Sequence, residues 1–71
     1  MARMADSRVI GERLRLLRIR KGEAVRDICL ALGITPAAYG LYEAGDIIPR
    51  GEVRRALAMH HGETEHSIFY A

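Results

Sequence analysis

A single cysteine in 71 residues excludes an internal disulfide, and no pattern of two cysteines and two histidines offers a zinc staple. The longest apolar runs are a few residues, far short of the roughly 20 that span a bilayer, so no membrane partner is expected. The opening Met1-Ala2-Arg3-Met4-Ala5-Asp6 has no apolar signal core. With no export signal and a lone thiol, the expected setting is the cytoplasm. No internal repeat, low-complexity tract or linker divides the chain. No segment alternates strictly between apolar and polar residues, which leaves no half-buried strand.

Apolar residues, at 49% of the chain, are sufficient to build a core. A domain of this length buries only about 60% of its unfolded surface. Pairing with a second copy is a common remedy at this size, so a homodimer is expected.

Charge is distributed unevenly around a net of +2. Residues 1–21 carry seven basic side chains against Asp6 and Glu12, residues 22–49 carry Arg26 against four acids, and residues 50–71 balance. Such asymmetry points to a polyanion or an acidic surface facing the N-terminal segment. A solvated basic helix face is the other reading of the same pattern.

Gly22, Gly33, Gly45 and Gly62 each follow an apolar-periodic segment, as glycine does just past a helix end. They divide the chain into five short helices. The first is expected from about Arg8 to Lys21, capped by Asp6 or Ser7, with Ile10, Leu14 and Leu17 on one face. Val9 and Leu16 form a second stripe and Ile19 points elsewhere, a surplus suited to the C-terminal tail or a partner subunit. The second helix covers about Ala24 to Leu32 and starts without Ser or Thr. The third covers Pro36 to Ala44, with Thr35 as N-cap and Pro36 in the first helical position. The fourth runs from about Gly51 to His61 and the fifth from about Glu65 to Tyr70, capped by Thr64. Residues 1–7 are expected as a flexible arm and 8–71 as the domain.

The second and third helices are joined by Gly33-Ile34-Thr35. A short helix, a three-residue turn containing glycine and a second short helix make a helix-turn-helix, whose second helix can enter a major groove. The stretch Ile10-Gly11-Glu12-Arg13-Leu14-Arg15, then Leu17-Arg18 and Lys21-Gly22, resembles the opening of the XRE or Cro/CI-type family. So do Ile28-Cys29-Leu30-Ala31-Leu32-Gly33-Ile34-Thr35 and Tyr42-Glu43-Ala44-Gly45 followed by Pro49. The resemblance covers about residues 8 to 70. It implies an all-α, compact five-helix, lambda-repressor-like DNA-binding domain.

The resemblance also implies that the outward side of the third helix meets base edges. That side is Pro36, Ala37, Gly40, Leu41 and Ala44. Ala38, Tyr39, Tyr42 and Glu43 face inward, with Tyr42 as core aromatic and Glu43 as a structural partner of the turns. The family usually has polar residues at Pro36, Ala37, Gly40 and Leu41, and a phosphate-holding Gln at Val25. Here none of these positions offers a hydrogen-bonding side chain, which direct readout ordinarily uses. Backbone contacts and shape would then supply affinity, through helix N-terminal amides, Thr35, Arg26, Arg50, Arg3 of the arm and Arg8 just past it. The DNA-facing set is therefore Arg3, Arg8, Arg26, Thr35, Pro36, Ala37, Gly40, Leu41 and Arg50. A dimer interface is expected at Leu57, Ile68, Phe69 and Tyr70.

Other constellations carry less. Cys29 matches a small buried position and reads as packing. His60, His61 and His66 fit no good ligand spacing and read as surface residues, so no metal and no cofactor are expected. Tyr39 and Tyr42 could stack on bases, but at helical spacing they read as core. The remaining arginines of the first helix read as mostly solvated. No nucleophile with a paired base, no paired carboxylates and no phosphate-cradling glycine loop is present, and an enzyme is not expected. The sequence thus points to a dimeric transcriptional regulator of double-stranded DNA, a repressor. The alternative is an interaction module or antitoxin that grips another protein with the apolar third helix.

Overall fold

The structure, a computed structural model, describes residues 3–71. Five helices follow in order: α1 (Ser7–Lys21), α2 (Val25–Leu32), α3 (Pro36–Ala44), α4 (Gly51–His61) and α5 (Glu65–Phe69). Each end has a local cause. Asp6 caps α1 by accepting from the Arg8 amide at 2.8 Å, and the Thr35 and Thr64 hydroxyls accept from the amides of Ala38 and Ser67 at 3.1 and 3.0 Å. The start of α2 lacks such a cap, and Asp27 takes over the task by accepting from the Ala24 amide at 2.9 Å. Gly22, Gly33, Gly45 and Gly62 close α1 to α4 in the left-handed region, where a side chain would be strained. The helices agree with the sequence expectation to within a residue at every end.

The core collects one or two side chains from every helix: Ile10 and Leu14 from α1, Ile28 from α2, Tyr39 from α3, Leu57 from α4, and Ile68 and Phe69 from α5. Full burial of each such side chain stabilises the fold by about 1.5–3 kcal/mol. This placement corrects the expected dimer interface. Leu57, Ile68 and Phe69 are at most 1% exposed within one copy of the chain, so their apolar surface is already covered and none remains for a partner. Tyr70 is half-buried and stacks on the His66 ring, with centroids 5.4 Å apart. Periodicity had identified an inward face correctly but not the surface that covers it.

The expected arm over 1–7 is also corrected for residues 3–7; Met1 and Ala2 lie outside the described residues. Met4 pairs with Tyr70 in an antiparallel bridge. The Ala5 amide donates to Phe69 O and the Ala71 amide to Arg3 O, both at 2.8 Å. Ala5 is buried and Ser7 already belongs to α1. Residues 3–5 and 69–71 therefore form a clasp between the two terminal segments. Arg13 secures it from α1: its guanidinium donates to the carbonyls of Ser67, Ile68 and Tyr70 at 3.3, 3.0 and 2.9 Å. Helix C-terminal carbonyls lack intrahelical partners, and a cation there answers both hydrogen bonding and charge. The second stripe of α1, Val9 and Leu16, is left exposed, as is Ile19.

Candidate nucleic-acid interface

The turn between α2 and α3 is made by Gly33, Ile34 and Thr35. Gly33 has φ +68°, which lets the chain reverse directly after α2, and the Ile34 amide donates to Cys29 O at 3.1 Å. Ile34 packs its side chain against the core, while Thr35 and Pro36 start α3 at the surface. Cys29 is buried beneath the turn, and burial pushes its thiol pKa up. It is a packed apolar residue, consistent with its place in the sequence.

Three side chains on α3 carry hydrogen-bonding groups, and all three turn inward. Tyr39 is fully buried and Tyr42 is buried beside it, ring edge to ring face at a 6.3 Å centroid distance. Glu43 accepts from Arg18 Nε at 2.7 Å and from Arg18 Nη2 at 3.2 Å, and the Tyr39 hydroxyl donates to the same carboxylate. Arg18 also donates to Glu23 O at 3.1 Å, so one network fixes α1, the α1–α2 turn and α3. Burial pushes the Glu43 carboxyl upward, but hydrogen bonds from Arg18 and Tyr39 outweigh it and hold the carboxyl below its usual range. Burial and the Glu43 hydrogen bond push the Tyr39 hydroxyl strongly upward, so it remains a donor. Glu43 is thus tied to a turn, as the resemblance implies, through Arg18. That arginine is not a solvated one, and neither is Arg13.

The backbones of α1 and α3 meet directly. A Cβ on Gly11 would stand 2.4 Å from Glu43 O and 2.7 Å from Tyr42 O, and one on Gly45 would stand 2.9 Å from Arg8 Cα. The far end of α3 is therefore wedged against α1, which sets its direction.

What remains outside is the face formed by Pro36, Ala37, Gly40, Leu41 and Ala44, every one exposed. Two exposed arginines bracket the turn that leads into it. Arg26 lines an open groove of about 440 Å³ with Cys29, Leu30, Gly33, Ile34 and Pro36. Arg50 lines another of about 330 Å³ that shares Gly33 and Ile34, and it pairs with exposed Glu52 at 3.3 Å. Arg26, Thr35, Pro36 and Arg50 are thus gathered around one corner, with Ala37, Gly40 and Leu41 continuing along α3. Arg8 lies apart, at the other end of α3 beside Gly45. Arg3 is held in the terminal clasp.

His60 and His61 are not open surface residues. His60 Nε2 meets the Glu23 carboxylate at 2.8 and 2.9 Å, and the Lys21 ammonium donates to His60 O. Among the described residues His61 Nε2 is buried without a hydrogen-bond partner. Burial, aided by the nearby His60 and Lys21, pushes the His61 pKa down.

A short exposed helix, presented by a glycine-containing turn and braced from behind, defines a helix-turn-helix domain. A helix-turn-helix domain family profile matches residues 9–67, and the chain belongs to that family. The restriction-modification controller protein C.AhdI from Aeromonas hydrophila is similar at 25% identity and a TM-score of 0.82, over 90% of this chain and 97% of that one. The clp gene regulator ClgR from C. glutamicum is similar at 20% identity and a TM-score of 0.79, over 90% and 83%. The hypothetical transcription factor NHTF from Neisseria follows at 16% and 0.80, over 90% and 74%. No curated protein matches. The fold is that of helix-turn-helix transcription regulators, an all-α domain of five helices, as the sequence implied. Among the described residues no helix is long and apolar enough to cross a membrane.

Proposed function

We propose that this chain is a cytoplasmic transcription regulator that binds double-stranded DNA, acting as a repressor by occupying an operator. The observation that carries the reading is the outward face of α3, presented beyond a corner that bears Arg26 and Arg50. Phosphates engage the two arginines and the Ala37 amide at the start of α3, where Pro36 has no N–H and the Ala38 amide is held by the Thr35 cap, while α3 lies in the major groove. The similarity to C.AhdI, a controller protein, supports the same reading.

The regulator acts as a homodimer in this proposal, which sets two α3 helices at half-sites about 34 Å apart. Its interface excludes the residues buried in the core. The exposed apolar residues of α1, Val9 and Leu16 on one stripe and Ile19 beside it, support a pairing surface there.

Gel-shift titration on the DNA upstream of the chain's own gene, across a salt series, tests the function. Saturable binding that weakens steeply with salt is expected. Leu41→Glu should abolish it, because a carboxylate would enter the groove beside phosphates. The competing reading, a protein-binding module, draws on Leu30, which is 81% exposed beside the Arg26 groove. It is favoured instead if no shift occurs at low salt.

A further inference from the structure

We propose that α3 reads thymine methyl groups, so that sequence selection by this chain rests on apolar contact rather than on hydrogen bonds to bases. The inference deepens the DNA-binding reading and rests on it. In the major groove each base pair offers donors and acceptors, and only thymine adds a methyl group. Direct selection among donors and acceptors ordinarily uses polar side chains on the helix. On α3 Glu43 is engaged with Arg18 and Tyr39 with Glu43, and the Tyr42 side chain is turned inward and buried. The Thr35 hydroxyl oxygen caps the helix by accepting from Ala38 N. The groove-facing set is left with Ala37 and Leu41 as its projecting groups, and a methyl group is the base feature they match.

Gly40 adds an independent observation. Glycine inside a helix costs about 0.5–1 kcal/mol relative to alanine. Nothing in the fold calls for it here, since a Cβ at Gly40 meets no atom within 4 Å. Gly40 precedes Leu41 on the outward face, so its missing side chain leaves the backbone open to close approach. That gap lets α3 settle far enough for Ala37 and Leu41 to reach methyl groups. The exposed Arg26 and Arg50 beside the turn supply the complementary charge for phosphates.

The test begins with in vitro selection from a random-sequence duplex pool. The enriched sites are then remade with deoxyuridine in place of individual thymines, which removes one methyl group and leaves pairing intact. Sites rich in thymine are expected, and exchange at one or two positions per half-site should weaken binding roughly fourfold each, the loss of one buried methyl. In Leu41→Ala the effect of one of these exchanges should fall to nearly nothing, because the partner of that methyl is gone. Leu41 is exposed, so the variant retains its core. Selected sites that bind equally well with deoxyuridine throughout would overturn methyl readout and leave DNA binding standing. A pool that shows no enrichment and no binding at low salt would overturn both.

Discussion

Arg18 of α1 and Glu43 of α3 form a two-pronged ion pair at 2.7 and 3.2 Å, although 25 positions separate them in sequence. With side chains only 17% and 13% exposed, the pair braces the candidate DNA-binding helix from behind. Removing one partner leaves a largely buried charge, and Arg18→Met should destabilise the fold by about 2–3 kcal/mol in chemical denaturation. The Glu43 carboxyl sits below its ordinary value of 4.5 in the folded state. Its contribution is therefore complete above that pH and is lost as pH falls through the lowered folded value. In Glu43→Gln, stability should depend less on pH below 4.5. An unchanged acid slope would remove Glu43 from the bracing role.

His61 acts in a different pH window. Its folded pKa lies below the ordinary 6.5 because its ring is buried, so the neutral form is favoured by folding. The associated stability is present above pH 6.5 and is lost as pH falls through the lower folded value. His61→Leu should flatten the stability curve just below pH 6.5, measured by thermal unfolding in matched buffers. A curve as steep as that of the unmodified protein would contradict the assignment.

Two helical glycines should respond oppositely to the same substitution. Gly11→Ala places a methyl 2.4 Å from Glu43 O, where neither backbone can yield, and should cost about 3 kcal/mol or more. Gly40→Ala meets open space and should stabilise the domain by about 0.5–1 kcal/mol. Urea denaturation of the two variants checks the contrast, and a destabilised Gly40→Ala would contradict it.

The terminal clasp makes residues 3–5 part of the fold. Removing residues 1–5 deletes the Ala5–Phe69 and Ala71–Arg3 hydrogen bonds and takes Ala5 and Met4 away from the core. A loss of about 2 kcal/mol is expected. The Ala5 and Ala71 amides should also exchange slowly with solvent in the intact chain. Rapid exchange at both, with no change in stability on truncation, would restore the free arm.

Local features of this fold were legible in the sequence because their causes are local. The four left-handed glycines end α1 to α4, Thr35 and Pro36 start α3, and a 3.6-residue period separates Tyr39 and Tyr42 from Ala37 and Leu41. Features that join distant residues were not legible. Arg13 reaches carbonyls 54 to 57 positions away, and nothing in its own neighbourhood distinguishes it from solvated Arg15. The same limit misassigned Leu57, Ile68 and Phe69, since an apolar face looks alike whether its cover is the same chain or another. Arg3 was placed on a free arm because two amide–carbonyl pairs leave no trace in side-chain pattern.

We propose the outward face of α3, with Arg26 and Arg50 at its corner, as the surface that meets DNA. Amide chemical-shift mapping of the ¹⁵N-labelled chain, titrated with a binding duplex at low salt, locates that surface residue by residue. Shifts are expected at Arg26, Thr35, Ala37, Gly40, Leu41 and Arg50, and should disappear on raising the salt concentration. Shifts confined to Val9, Leu16 and Ile19 on α1, or no shifts at any salt concentration, would contradict it.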